Sequence, residues 1–121
     1  MGRKSFFVAG DVSDAEACVR IMEEAIEGLG TIDILVNNAG MIRRAPASEI
    51  AESEWSEVIA VNLSSVFRLC QLADRHMLKQ GAGKIVNIAS LLSFQGGILA
   101  SSYAAAKGGV AQLTKDRKSV V

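Results

Sequence analysis

The stretch Ile32-Asp33-Ile34-Leu35-Val36, followed by Asn37-Asn38-Ala39-Gly40, decides the fold of this chain. The first part is a short apolar run, which is typical of a strand buried on both faces of a parallel sheet. The second part ends in a small residue and a glycine, and we expect a turn there. The stretch therefore predicts a central strand of an α/β fold.

A strand and a helix are predicted before this stretch. The apolar run Phe6-Phe7-Val8-Ala9 predicts a first strand. Ser13-Asp14-Ala15-Glu16 has the form of a capping box, so a helix is expected to begin there. Apolar residues at helical spacing continue this helix, and Gly28 and Gly30 offer its end.

A long helix is predicted after the stretch, from Ser53 and Glu54 to about Gln80. Asn62 lies in its middle and has only modest helix propensity. Two interpretations of this asparagine stay open. Either its side chain faces solvent, or it serves a local kink and a site.

One more strand and helix complete the pattern. Gly81-Ala82-Gly83 ends the long helix, and Lys84-Ile85-Val86-Asn87-Ile88-Ala89 predicts the third strand. After a Gly96-Gly97 loop, the last helix is expected to begin near Ser101 or Ser102. The alternation indicates one α/β domain with a doubly wound parallel sheet, whose ligands lie beyond the carboxyl ends of the strands.

The only tyrosine, Tyr103, is followed four residues later by Lys107. Positions i and i+4 lie on one face of a helix, so the phenol and the ammonium can share a pocket. A neighbouring cation favours the phenolate and lowers the pKa of a tyrosine from about 10, which suits a general acid or base. The alternative is an ordinary amphipathic helix with one aromatic anchor.

Other residues favour the chemical interpretation. Ser90 ends the third predicted strand, 13 residues before Tyr103, and Asn62 precedes Tyr103 by 41 residues. With Asn37-Asn38-Ala39-Gly40, this pattern resembles the Asn-Ser-Tyr-Lys tetrad and the Asn-Asn-Ala-Gly motif of the short-chain dehydrogenase/reductase family. The resemblance extends from about Phe6 to Lys115 and implies a Rossmann-like fold.

The resemblance also implies a role for each residue of the tetrad. Tyr103 would be the general acid in carbonyl reduction or the general base in alcohol oxidation. Ser90 would bind and polarise the substrate oxygen. Lys107 would hold the nicotinamide ribose and lower the pKa of Tyr103, and Asn62 would position a water that relays protons to bulk solvent.

Further residues are implied in binding a cofactor, NAD or NADP. Asp11 and Val12 would line its adenine end, although Asp11 is equally explained as a residue that begins a helix. Asn38, Ala39 and Gly40 would pass close to the nicotinamide ribose, with Tyr103 and Lys107 beside them. The alternative for the glycine is a plain tight turn.

The chain departs from the family at both ends. The family's first two strands and the glycine-rich phosphate turn between the first strand and helix are not in the sequence, and neither are its last strands. Residues 116–121 do not resemble the family's helix and are expected to be a non-native or disordered tail. We therefore expect one partial NAD(P)-binding domain over residues 1–121.

In the family's strand order, 3-2-1-4-5-6-7, the strand at Phe6-Phe7-Val8-Ala9 has its usual neighbour missing, so it must pair differently or stay loose.

Composition excludes several classes of protein. The chain has thirteen basic and thirteen acidic side chains, so neither a nucleic-acid partner nor a membrane surface is indicated. No apolar stretch is long enough to cross a membrane, and no metal-ligand spacing is present. Cys18 and Cys70 are expected to be buried reduced thiols, and His76 a surface or packing residue. A cytoplasmic protein is expected.

The expected reaction is hydride transfer between a nicotinamide and a small keto or hydroxy substrate. Residues 37–44 and 90–98 are similar to the sugar-acid branch of the family, the 2-dehydro-3-deoxy-D-gluconate and gluconate 5-dehydrogenases. Arg43 or Arg44 could bind the substrate carboxylate, and either could also be simply solvated. The alternatives are a 3-oxoacyl carrier-protein reductase and a catalytically inactive fragment. Family members commonly form homotetramers.

Overall fold

Helices alternate with two short strands along the chain. The computed structural model describes residues 2–117. The elements, in chain order, are α1 (Ala15–Leu29), β1 (Ile34–Asn37), α2 (Glu52–Ile59), a π-helix (Ala60–Ser64), α3 (Ser65–Gln80), β2 (Lys84–Asn87), a 3₁₀-helix (Leu91–Ser93) and α4 (Ser101–Arg117).

The two strands form a parallel sheet. β1 pairs with β2 in a register that runs from Ile34 opposite Lys84 to Asn37 opposite Asn87. The hydrogen bonds continue past both ends, because the Lys84 N–H donates to Asp33 O and the Ile88 N–H donates to Asn37 O. The predicted α/β class with parallel strands is confirmed.

Two apolar clusters hold the helices on the sheet. The first lies between α1, α3 and the sheet, where Leu35 and Ile85 pack against buried Cys18, Met22, Ile32, Leu69, Ala73 and Met77. The second joins α3 to α4 through buried Val66, Cys70 and Val110, and Ile85 also contacts it. Both cysteines are free and buried, as predicted.

The prediction of a strand at Phe6-Phe7-Val8-Ala9 is wrong. A strand needs a neighbouring strand to complete its ladder of hydrogen bonds, and in the described part of the chain the sheet contains only β1 and β2. The segment instead lies along α1. The ring of Phe6 approaches Gly28, and the Arg20 guanidinium donates to Ala9 O.

β1 also differs from its prediction in extent and burial. It begins at Ile34 and includes Asn37, and Ile34 and Val36 are 63% and 54% exposed. The apolar cluster around α1 and α3 packs on Leu35, which points to the other face. β2 likewise ends at Asn87 and not at Ala89.

The helix ends agree closely with the sequence pattern. Gly30 and Gly81 end α1 and α3 with φ values of +86° and +80°, in the left-handed region that favours glycine. The capping box predicted Ser13 as the N-cap of α1. The N-cap is instead Asp14, whose side chain accepts from the Glu16 N–H. Ser13 instead donates to Asp11.

The end of α4 corrects one further expectation. Asp116 and Arg117, assigned from the sequence to a non-native or disordered tail, belong to α4, and the Arg117 guanidinium pairs with the Asp74 carboxylate. The remainder of that predicted tail, residues 118–121, lies outside the described residues. No helix within residues 2–117 is both long and apolar enough to span a membrane.

Candidate active site

The carboxyl ends of β1 and β2 lie side by side. Asn37 and Asn87 are opposite each other at the last paired position, and residues 38–40 and 88–90 leave the sheet from this edge. The Ile88 N–H donates to Asn37 O over 3.1 Å, which keeps the two segments together where they start. The predicted convergence of the turn and of Ser90 on one edge is therefore observed.

A buried polar network fastens this edge to the helices behind it. The Asn37 side chain donates to Asn87 Oδ1 at 2.9 Å and to Cys70 Sγ at 3.4 Å. The Asn87 side chain donates in turn to Thr114 Oγ1 on α4 at 3.0 Å. The network joins both strands to α3 and α4, and sequence reasoning assigned no role to Asn87 or Thr114.

Lys107 places a buried ammonium at the same edge. The residue is only 4% exposed, and its Nζ donates to Ile88 O at 2.7 Å, two residues before Ser90. Nζ also lies 5.7 Å from the centroid of the Tyr103 ring, so the ammonium and the ring are neighbours, as their spacing of four residues predicts. Burial lowers the pKa of Lys107. An ammonium has three donors, so the bond to Ile88 does not exhaust them.

The Ser90 hydroxyl is held by the backbone that follows it. Ser90 is half-buried and caps the 3₁₀-helix, and its Oγ accepts from the Leu92 N–H at 3.1 Å. A hydroxyl that accepts from the backbone still has its own proton available to donate. Ser93 Oγ accepts from the Ser90 N–H at 3.2 Å and donates to Lys107 O at 2.7 Å. Ser93 had no role in the sequence interpretation.

Asn62 lies in the π-helix and is fully buried. Its Nδ2 donates to Met41 O at 2.7 Å and to Val58 O at 2.9 Å, and its Oδ1 accepts from the Met41 N–H at 3.2 Å. The solvent-facing interpretation is therefore wrong. The helix is locally distorted at Asn62, because a π-helix accommodates an extra residue there. Within residues 2–117, Asn62 is bonded to the turn after β1 and not to Lys107 or Ser90.

The turn after β1 is exposed and runs close to the π-helix. Asn38, Ala39 and Gly40 are all exposed beyond the end of β1. A Cβ placed on Gly40 would lie 3.0 Å from Asn62 Oδ1, closer than most side-chain contacts. Glycine at this position therefore permits the approach that lets Asn62 hold Met41.

Asp11 and Val12 lie where the chain enters α1. Asp11 Oδ1 accepts from the Ser13 N–H at 2.9 Å and from the Ser13 hydroxyl at 2.7 Å, and these two bonds lower the pKa of the exposed Asp11 carboxyl. The Val12 side chain packs against the first apolar cluster, and its carbonyl accepts from Cys18 Sγ. Their contacts account for the start of α1. In the described chain neither is hydrogen-bonded to the other candidate residues.

The two loop arginines have different partners. Arg43 lies 3.4 Å from the Glu57 carboxylate, and both side chains are about half exposed. Arg44 Nη1 donates to Ile98 O at 2.9 Å, and the neighbouring Ala45 N–H donates to Leu99 O. The loop after β1 is thereby tied to the loop after Ser90. Residues 2–117 contain no group of three or more potential metal ligands.

Comparison with known proteins agrees with this geometry. The family model described as short chain dehydrogenase matches residues 1–119. The chain is 57% identical over 105 residues to a 2-dehydro-3-deoxy-D-gluconate 5-dehydrogenase of Bacillus subtilis (strain 168), covering 87% of this chain and 41% of the relative. It is 46% identical over 116 residues to the protein of the same name from Dickeya dadantii (strain 3937), covering 95% of this chain and 46% of the relative.

The fold is similar to that of solved structures. One, described as an NAD(P)-dependent gluconate 5-dehydrogenase from Beutenbergia cavernae with bound NADP at low occupancy, superposes with a TM-score of 0.82 at 45% identity. The match covers 88% of this chain and 43% of that one. The chain thus spans less than half the length of the relatives it matches. It belongs to the short-chain dehydrogenase family.

Proposed function

We propose that this chain carries the catalytic residues of an NAD(P)-dependent oxidoreductase that interconverts a keto and a hydroxy group on a sugar acid. One observation carries the proposal. The buried Lys107 ammonium lies beside the Tyr103 ring and is bonded to the strand end that leads into Ser90. Family membership and the names of the relatives support the same chemistry.

The residues at this edge fit the nicotinamide end of a dinucleotide. The Lys107 ammonium has donors left for the hydroxyls of a ribose, and the exposed turn at Asn38, Ala39 and Gly40 gives a ligand access to the backbone. Asp11 and Val12 are proposed for the adenine end. The nicotinamide, when bound, supplies or accepts the hydride.

Ser90 and Tyr103 have different roles in the proposed proton transfer. In the direction of reduction, the Ser90 hydroxyl donates a hydrogen bond to the substrate oxygen, and the Tyr103 hydroxyl gives that oxygen its proton. In oxidation, Tyr103 takes the proton back. The nearby cation of Lys107 favours the phenolate that Tyr103 forms in reduction.

Asn62 is proposed to serve the proton relay. Both N–H groups of its side chain are already bonded, to Met41 O and Val58 O. A relay water at this side chain can therefore be held only by donating to the amide oxygen. The residue would also act through the turn that it fixes at Met41.

Arg44 is the better candidate for the substrate carboxylate. Arg43 is compensated by Glu57, whereas Arg44 is bonded to a neutral carbonyl, Ile98 O. A guanidinium has five N–H donors, so this bond leaves enough of them for a bidentate bond to a carboxylate. Arg44 also follows the turn after β1, on the loop tied to the one that begins at Ser90.

A second candidate function has a specific observation in its favour. The chain matches less than half of each relative, and its sequence has no glycine-rich turn between a strand and a helix to hold a diphosphate. A chain that keeps the site residues and does not bind the dinucleotide is therefore the alternative.

The test measures cofactor binding and turnover on the same preparation. NADH and NADPH are titrated by fluorescence and calorimetry, and turnover is followed with 5-keto sugar acids and with 3-oxoacyl thioesters. Binding with turnover of the sugar acids supports the proposal. Preferred turnover of the thioesters would identify a 3-oxoacyl carrier-protein reductase, and absence of dinucleotide binding would establish the inactive alternative.

Assembly and location are also proposed from family resemblance. An open groove of about 460 Å³ lies between the π-helix, α3 and α4, lined in part by Leu63, Phe67 and Leu113. Phe67 is 48% exposed there, which would suit a helical surface shared between subunits of a homotetramer. The two buried reduced thiols are consistent with the cytoplasm, where disulfides are rare.

A further inference from the structure

Ser93 connects the segment that carries Ser90 to the helix that carries Lys107. Its Oγ accepts a hydrogen bond from the Ser90 N–H at 3.2 Å and donates one to Lys107 O at 2.7 Å. The first bond is local, whereas the second spans 14 residues of sequence. One hydroxyl therefore bridges the backbones of two residues proposed for the reaction.

The bridge is part of a compact unit. The Ser93 N–H donates to Ser90 O, and Ser90 Oγ accepts from the Leu92 N–H, so Ser93 fixes the Ser90 backbone and Leu92 fixes its side chain. The helix approaches this unit closely, because a Cβ on Gly108 would lie 3.8 Å from Ser93 O. The only link from the unit to α4 through a side-chain hydroxyl, among residues 2–117, is the bond from Ser93.

Lys107 is bonded to this part of the chain through its side chain as well as its backbone. The Lys107 carbonyl accepts from the Ser93 hydroxyl, and the Lys107 ammonium donates to Ile88 O, one residue beyond the end of β2. The segment from Ile88 to Ser93 is therefore held to one lysine at two points. A shift of this segment along α4 would require both bonds to break.

We propose that Ser93 is a positioning residue, which sets the Ser90 hydroxyl at a fixed distance from Tyr103 and Lys107 by bridging Ser90 to the Lys107 backbone. This inference rests on the proposed function, because it concerns the alignment of the same site. Ser93 does not touch the reacting atoms. Its effect is exerted through Ser90, so removing its hydroxyl matters only while the Ser90 hydroxyl is present.

The kinetic test compares Ser93→Ala, Ser93→Thr and a control in the whole chain. Ser93→Ala is expected to lower kcat by about ten- to a hundredfold, since misplacement of a catalytic group by about 1 Å has an effect of this order, with the Kd for NADH unchanged. Ser93→Thr keeps the hydroxyl and is expected to stay near wild type. Ser65→Ala, which removes a hydroxyl in α3 that is bonded to Val61 O in the π-helix, is the matched control.

A double mutant separates positioning from general stability. In a Ser90→Ala background, Ser93→Ala is expected to have little further effect on kcat, because the group that it positions is gone. An undiminished second loss of kcat in the double mutant would overturn the proposal. So would a Ser93→Thr variant as slow as Ser93→Ala.

Hydrogen exchange of the Ser90 N–H measures the Ser93 bridge and does not require turnover. Ser93→Ala is expected to speed exchange of the Ser90 N–H by about fivefold relative to Ser65→Ala, as loss of one hydrogen bond implies. An unchanged exchange rate of the Ser90 N–H in Ser93→Ala would contradict the proposal that Ser93 holds Ser90. If the wild-type chain turns over no substrate, the proposed function fails, and this exchange rate still decides whether Ser93 holds Ser90.

Discussion

Asn62 makes hydrogen bonds to both backbone groups of Met41: its Oδ1 accepts from the Met41 N–H at 3.2 Å and its Nδ2 donates to Met41 O at 2.7 Å. A third bond goes to Val58 O in the preceding helical turn. A single fully buried amide thereby holds the loop after β1 against the π-helix. The π-helix is the local deformation that brings this side chain to face the loop.

Asn62→Ala is expected to destabilise the protein by about 2–3 kcal/mol, because it leaves the buried Val58 carbonyl and the partly buried backbone groups of Met41 without this partner. Asn62→Asp is expected to be destabilising too, since a carboxylate cannot donate to either carbonyl. Urea unfolding followed by circular dichroism measures both changes.

Asn38→Ala is the matched control for these variants. Asn38 is an exposed asparagine three residues before Met41 in the same loop, and its loss is expected to change stability by less than about 0.5 kcal/mol. Equal effects of Asn62→Ala and Asn38→Ala would contradict the role assigned to Asn62.

Tyr103→Phe is expected to lower turnover by about 10²–10⁴-fold, which is the usual contribution of general acid–base catalysis. The variant keeps the ring that lies 5.7 Å from the Lys107 ammonium, so the fold and NADH affinity are expected to stay as in the wild type. Steady-state kinetics and NADH titration are carried out on the same preparation. Unchanged turnover would remove Tyr103 from the mechanism.

The helices could be predicted because their signals are local. Gly30 and Gly81 end α1 and α3 with positive φ values, and a glycine in the sequence is enough to indicate each end. The start of α4, predicted near Ser101 or Ser102, lies at Ser101. The π-helix and the 3₁₀-helix Leu91–Ser93 were not predicted, although Asn62 was noted as a polar residue in a helix that needs a structural reason.

The strands were harder to predict because a strand depends on residues that lie elsewhere in the chain. The apolar run Phe6-Phe7-Val8-Ala9 has the composition of a strand, yet no described neighbour completes its hydrogen bonds. Ile34 and Val36 have the pattern of a strand buried on both faces, and both are more than half exposed because α1 and α3 cover the opposite face.

In the candidate site, too, contacts between residues close in sequence could be predicted, and contacts between distant residues could not. Tyr103 and Lys107 are four residues apart on one helix, so their proximity could be predicted from helical geometry. The contacts of Ser93 with Lys107 and of Asn62 with Met41 span 14 and 21 residues. Neither partner can be inferred from sequence spacing, because the loop paths that bring them together are set by tertiary packing.

Burial of the Lys107 ammonium is expected to make the stability of the protein depend on pH. Burial lowers the pKa of Lys107 from its ordinary value of 10.5. Between the lowered pKa and 10.5 the unfolded chain therefore binds more protons than the folded chain, so the contribution of Lys107 makes the protein more stable as pH rises through this window. Below the lowered pKa the cost of burying the charge is fully present.

Lys107→Met isolates this contribution. Burial raises the pKa of Cys18 and Cys70 from 9.0, which lowers stability at alkaline pH in both proteins alike. We expect the free energy of unfolding of the wild type, minus that of Lys107→Met, to increase from neutral pH to pH 10.5. Urea unfolding at a series of pH values measures it, and a difference that is flat or falls with pH would contradict the expectation.

The amides of Asn37 and Asn87 are expected to act as one unit. The Asn37 side chain donates to Asn87 Oδ1, and the Asn87 side chain donates to Thr114 on α4, so loss of either amide leaves buried polar groups unpaired. Asn37→Ala and Asn87→Ala are each expected to destabilise by about 2 kcal/mol. The double mutant is expected to lose about 1–2 kcal/mol less than the sum, because the second change removes a partner that is already lost.

A control pair shows whether this coupling is specific. Gln112 lies on the exposed side of α4, near Thr114 in sequence, and Gln112→Ala combined with Asn87→Ala is expected to be additive within about 0.5 kcal/mol. Additive effects of Asn37→Ala and Asn87→Ala would mean that the two amides stabilise the protein independently. The carboxyl ends of β1 and β2 would then be joined by the backbone ladder and the apolar contacts alone.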